Sequence, residues 1–187
     1  MSDRFDILDP PLEGVRILQR KPLRDARGYL ERMYCAQELG SVLSGRAIVQ
    51  INHTLTARRG TVRGMHYQQP PHAEMKFVCC IRGEVFDVAV DLRRGSPTFL
   101  RWHAETLSER NHRTLLIPEG FAHGFQSLTD DCEMLYFHTA AYVPDAERGL
   151  NPQDPRLALA WPLAISDLSE RDGGHPMIGD DFSGVAA

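Results

Sequence analysis

Residues 60–83 read GTVRGMHYQQPPHAEMKFVCCIRG, and the second half of this stretch decides the fold. Residues 76–81 are rich in β-branched and aromatic side chains, Arg82-Gly83 supplies a turn, and residues 84–92, EVFDVAVDL, then alternate. Phe86, Val88, Val90 and Leu92 fall on one face and Val85, Asp87, Ala89 and Asp91 on the other, which is the period of a half-buried strand. The two runs read as a hairpin. Outward from it, strands are expected at residues 15–21, 31–35, 48–56, 98–107, 113–117, 124–128 and 133–139. Turns such as Asp25-Ala26-Arg27-Gly28 and Glu119-Gly120 separate them. Helical patterning is confined to residues 36–43, with 163–171 ambiguous. Many short strands and little helix predict an all-β sandwich or jelly-roll barrel.

A chain of 187 residues can bury one substantial core, and no Ser/Gly-rich or charge-run linker divides it, so one domain over residues 1–187 is expected. The net charge of −4, with bases scattered among acids, argues against nucleic-acid or membrane-surface partners. The N-terminal MSDRFDILDPPLEG has no apolar core, and no later run approaches the roughly 20 apolar residues of a membrane span, which predicts a cytoplasmic protein. Cys35, Cys79, Cys80 and Cys132 show no C-x-x-C spacing and read as reduced core thiols, the adjacent pair pointing to opposite faces of one strand.

Gly60 and His66 are separated by five residues, Lys76 and Gly83 by six, and Pro118, Gly120 and His123 follow as P-x-G-x-x-H. This resembles the two boxes of the cupin superfamily, whose first box carries H-x-H and a glutamate that together bind a metal. Here the second histidine is Gln68, and Lys76 stands at the glutamate position. An ammonium repels a metal, and two imidazoles alone rarely hold a catalytic zinc or iron. The expected pocket therefore uses acid/base chemistry, with no metal and no cofactor.

A closer resemblance covers most of the chain. RGMHYQ (63–68), GEVFDVAVDLRRGSPTF (83–99), IPEGFAHGF (117–125), LY (135–136), ERG (147–149) and NPQDPRLALAWP (151–162) are similar to the dTDP-4-dehydrorhamnose 3,5-epimerase family. The resemblance implies a metal-free jelly-roll homodimer with a shared active site. Its reaction would invert carbons 3 and 5 of a nucleotide-diphosphate 4-keto-6-deoxyhexose, with dTDP-4-dehydro-6-deoxy-D-glucose the leading substrate. Inversion beside a ketone needs a base, a group that stabilises the enolate oxygen, and an acid on the opposite face. His66 is the expected base, since imidazole titrates near neutrality. Asp172 matches the carboxylate that orients it, Lys76 would take the oxygen in place of a metal, and Tyr136, a phenol protonated at neutral pH, would be the acid.

For binding, the resemblance implies Arg63 and His123 for the diphosphate or the sugar, Gln50 and Asn52 as a Q-x-N contact, and Tyr142 stacked on the base. Glu147 and Arg171 would contact the ligand further, and Arg27 would come from the partner subunit. Placing Arg63 and His66 on one face requires a bend or bulge at Gly64. Leu30, Arg32, Ile51, Phe137, Ala140 and Ala141 depart from the family's usual residues, which leaves the nucleotide open among dTDP, GDP and CDP. Inversion at a single carbon is one alternative. A metal-dependent cupin using His66, His123 and Glu74 is another, and a non-catalytic sugar-binding cupin a third.

Overall fold

The computed structural model describes residues 4–186; residues 1–3 of the N-terminal stretch read above, and residue 187, lie outside them. The strands in chain order are β1 (Phe5–Leu8), β2 (Arg16–Arg20), β3 (Leu23–Asp25), β4 (Gly28–Leu30), β5 (Gln50–Thr56), β6 (Thr61–Gln68) and β7 (Lys76–Arg82). They continue as β8 (Glu84–Asp91), β9 (Trp102–Ser108), β10 (Arg113–Ile117), β11 (Phe121–Ser127), β12 (Cys132–His138), β13 (Glu147–Gly149) and β14 (Asp167–Leu168). One sheet runs β1-β2-β10-β7-β12-β5 and the other β13-β6-β11-β8-β9, with β14 beside β6; β3 and β4 form a separate hairpin. All pairings but that of β14 are antiparallel. The result is the expected all-β, cupin-like barrel. Among the described residues no helix is long and apolar enough to cross a membrane.

Alternation sorts the side chains into three apolar layers. Between the sheets, Val78, Cys80, Leu115 and Met134 of one meet Val85, Ala89, Leu107 and Phe125 of the other. Outside the first sheet, Cys79, Phe77 and Phe137 pack against Tyr34, Leu39 and Leu43. Outside the second, Val88, Val90, Met65 and Tyr67 are covered by Leu150, Leu157, Ile178 and Val185. The adjacent Cys79 and Cys80 thus serve opposite faces, and all four cysteines are free, although Cys35 is only partly buried. Trp102 and Trp161 pack in the same outer layer and donate to the Leu157 and Pro152 carbonyls.

Several expectations are corrected. Strand β8 is buried on both faces, because the C-terminal segment covers the side that a half-buried strand would expose. Residues 31–35 form no strand: Glu31 turns to Arg20, 2.8 Å away, and Tyr34 packs on Phe77 and Phe137, so side-chain burial replaces a ladder there. Residues 98–100 are a turn, and β9 begins at Trp102. The helical window 36–43 contracts to α1 (Gly40–Leu43), consistent with a glycine inside it and a left-handed Ser44 after it. The ambiguous 163–171 resolves into β14 and the start of α2 (Glu170–Gly173), capped by the Ser169 hydroxyl.

The bend expected at Gly64 is present. Pairing of β6 with β11 slips between His123 and Phe125, and Gly64 has φ +124°. A Cβ on Gly64 would lie 2.5 Å from Gly124 Cα, so the two backbones touch only because both positions are glycine. The slip leaves Met65 and Tyr67 in the outer layer while Arg63 and His66 both face inward.

Candidate active site

A cavity of about 460 Å³ opens at one end of the space between the sheets. Strands β5 and β12 supply Gln50, Asn52, Thr54, Tyr136 and His138; β7 begins with Lys76, and β6 and β11 present Arg63, His66 and His123. Tyr142, Glu147, Arg171 and Asp172 close the rim. Every residue expected at the site lines this one cavity except Arg27. Its side chain is 89% exposed at the β3–β4 turn, where it pairs with Asp25 at 2.6 Å. None of the six departing positions lines the cavity either. Phe137 faces the outer layer, Ile51 lies exposed on β5, and Arg32 pairs with Glu38.

His66 and Asp172 form a close pair, Nε2 to Oδ1 at 2.8 Å, and the second Asp172 oxygen accepts the Gly64 N–H at 3.0 Å. Burial works to raise this carboxyl, but the bonds from His66 and Gly64 outweigh it and hold the group below its ordinary value. The Ser169 cap fixes the start of α2 and with it the backbone of Asp172. Facing this pair from the other sheet, Tyr136 packs edge-on to His123 at 5.9 Å, and burial drives its phenol far above the usual range.

Two further groups had no role assigned from the sequence. Asp87, read only as part of an alternating strand, is fully buried and meets His123 Nε2 at 2.8 Å; burial pushes its carboxyl up against the pull of that imidazole. His138, assigned nothing, binds Glu74 at 2.7 Å, and Glu74 also pairs with Lys76 at 3.0 Å. Burial opposes ionisation of Glu74, yet its bonds to His138 and Lys76 hold the carboxyl below its ordinary value. Either pairing could have been suspected only from the fold, since the partners are remote in sequence.

At the rim, the Tyr142 hydroxyl donates to Glu147 at 2.7 Å, and Arg171 donates to the other Glu147 oxygen at 2.7 Å. Arg63 donates to the Thr56 hydroxyl at 3.0 Å and keeps its guanidinium at the cavity edge. The trio His66, His123 and Glu74 is not assembled as a ligand set. Among the described residues the one such group is His66, Asp172 and His175, with ligand atoms within 4.8 Å of one another.

Barrel and cavity together define a cupin-type protein with three His–carboxylate pairs and a buried lysine where the superfamily's glutamate ligand would stand. The family profile described as dTDP-4-dehydrorhamnose 3,5-epimerase matches residues 9–180, and the chain belongs to that family of epimerases. It is 39% identical to the dTDP-4-dehydrorhamnose 3,5-epimerase of Sinorhizobium fredii over 165 residues, 88% of this chain and 85% of the relative. The crystal structure of dTDP-6-deoxy-D-glucose-3,5-epimerase from Legionella pneumophila in complex with dTDP-4-keto-L-rhamnose superposes with a TM-score of 0.88 at 36% identity, covering 92% of each chain. ChmJ, a 3'-monoepimerase from Streptomyces bikiniensis in complex with dTDP-quinovose, superposes with a TM-score of 0.83 at 33% identity, over 90% of this chain and 85% of that one.

Proposed function

We propose that this chain converts dTDP-4-dehydro-6-deoxy-D-glucose to dTDP-4-dehydro-L-rhamnose by proton transfer at carbons 3 and 5, without a metal or other cofactor. The observation that carries the reading is that His66 and Tyr136 come from opposite sheets and line one cavity with Lys76. With the ring seated between them, His66 removes the proton beside the C4 ketone and Asp172 steadies the resulting imidazolium. The electron pair moves to the C4 oxygen, where the Lys76 ammonium opposes the negative charge in a water-poor wall. Tyr136 then returns a proton to the other face of the carbon. Exchange with water removes the proton from His66 and restores that of the phenol.

The same reading gives Tyr142 the nucleotide base, which an aromatic face can stack on, and gives Arg63 and His123 the diphosphate and sugar oxygens. Gln50, Asn52, Glu147 and Arg171 hold the remaining polar edges. Arg27 serves the partner's cavity in a homodimer, and the working unit is a single cytoplasmic domain. An apolar patch supports the pairing: β5 is an edge strand, and Ile51 and Leu55 on it and Val49 just before it are more than half exposed.

Incubation with dTDP-4-dehydro-6-deoxy-D-glucose in deuterated water tests this, read by NMR. Label at both C3 and C5 with inversion at each is expected. Label and inversion at one carbon alone would make the chain a monoepimerase. Absence of exchange with the dTDP sugar and with its GDP and CDP analogues would sink the assignment.

A further inference from the structure

Lys76 is the end of a hydrogen-bonded chain that runs along the first sheet to the rim of the cavity. Its ammonium donates to Glu74 Oε1 at 3.0 Å, and the other Glu74 oxygen lies 2.7 Å from His138 Nδ1. An ionised carboxylate can only accept, so His138 carries its hydrogen on Nδ1. In the neutral ring Nε2 is then left as an acceptor, and Asn52 Nδ2 faces it at 3.4 Å. The Asn52 carbonyl accepts from Gln50 Nε2 at 3.2 Å, and the Gln50 carbonyl accepts the Tyr142 N–H at 3.0 Å. The strand ladders hold this order, since His138 lies opposite Lys76 on one side and Gln50 on the other. The side chains of Glu74, Lys76 and His138 are each at most 10% exposed, so water competes little for these bonds.

A lysine ammonium sits on a flexible four-carbon stem and has no fixed direction of its own. Stabilising an oxygen that becomes negative only during the reaction depends on having that charge already aimed. Building on the proposed epimerase reading, we propose that Glu74 and His138 are positioning residues that aim Lys76 at the C4 oxygen. Glu74 holds the ammonium, His138 holds the carboxylate in one rotamer, and Asn52 and Gln50 tie both to the segment that carries Tyr142. Two effects of Glu74 oppose each other. Its negative charge weakens the field of Lys76, whereas its hydrogen bond fixes the direction of that field. The double anchoring through His138 makes direction the stronger effect, because nothing else in the wall bonds the ammonium among the described contacts.

The test uses the full-length chain and the variants Glu74→Gln, His138→Phe and His138→Asn. Measured quantities are kcat, dTDP affinity by calorimetry and the unfolding midpoint. The Gln and Phe variants are expected to lose roughly 10- to 100-fold in kcat, as for misplacement of a reacting group by about an ångström. Their dTDP affinity should stay within about twofold, because the anchoring acts on the reacting oxygen rather than on the nucleotide. Asn at 138 puts an amide nitrogen where Nδ1 was and should recover most of the loss. Unchanged or faster turnover in Glu74→Gln would overturn the proposal. So would equal rates for His138→Phe and His138→Asn, or a fall in kcat matched by equal losses in dTDP affinity and unfolding midpoint. A wild-type chain without turnover or exchange would instead fail the parent reading and take this inference with it.

Discussion

Asp172 has one oxygen on the base and the other on the backbone of the strand that carries the base, so it sets both the charge and the aim of His66. Asp172→Asn should lower kcat by about 10²-fold or more, within the range ascribed to a positioned base, while dTDP still binds by calorimetry. His66→Asn and Tyr136→Phe are expected to differ in kind. The first loses both deuterium exchange and inversion; the second keeps exchange on the His66 face and loses inversion, since no proton is returned from the other side. Product NMR reads the two apart. Asp172 and Glu74 are both held below the ordinary carboxyl value in the fold. Each therefore adds stability that is complete above the unfolded value near about pH 4, and that is lost as pH falls through the lower folded value. Unfolding midpoints followed from pH 6 downward should decline less steeply for Asp172→Asn than for the native chain. His66, Lys76 and Tyr136 were legible in the sequence because each sits inside a motif. His138 was not, and Glu74 was read only as a candidate metal ligand, because the meaning of a histidine on a strand depends on a carboxylate 64 residues away.

The bulge between β6 and β11 turns a strand with a two-residue period into one that points Arg63 and His66 the same way. Gly64→Ala would force a Cβ to within 2.5 Å of Gly124 Cα at φ +124°. Overpacking and a left-handed side chain each cost about 1–3 kcal/mol, so urea unfolding should show a loss of roughly 3 kcal/mol or more, with activity lost in the surviving folded protein. This element could be anticipated, since a glycine between two inward-facing residues asks for a break in alternation. Strand β8 was also readable from its period, and β7 from its β-branched and aromatic content. What period could not report was cover. The alternation of residues 84–92 looks the same whether its second face meets water or, as here, Leu150, Leu157 and Ile178 from far along the chain. Residues 31–35 show the converse: their apolar and aromatic content suggested a strand, but burial against Phe77 and Phe137 satisfied it without a ladder.

For the molecule as a whole, the cavity holds all of the expected residues but one, and the exception, Arg27, stands exposed at the β3–β4 turn. The edge of the first sheet is equally unfinished. Among the described residues strand β5 pairs only with β12, and an open edge bearing exposed Ile51 and Leu55, with exposed Val49 just before it, invites association unless another surface covers it. Leu23, Tyr29 and Leu30 form a second exposed apolar surface on the β3–β4 hairpin, beside Arg27 in sequence and anchored by Tyr29 edge-on to His112. In the proposed homodimer a two-fold pairing would give two equivalent sites, each completed by Arg27 of the other subunit. Sedimentation is expected to give about twice the chain mass of 21.1 kDa. Ile51→Arg, outside the cavity, should shift the protein toward monomer and reduce turnover in step with the monomer fraction. Arg27→Ala should leave the mass unchanged and raise KM about tenfold or more, since a charge-assisted hydrogen bond contributes about 1.5–3 kcal/mol. A monomer with full turnover, or an Arg27→Ala dimer with unaltered KM, would show that each cavity is complete within its own chain.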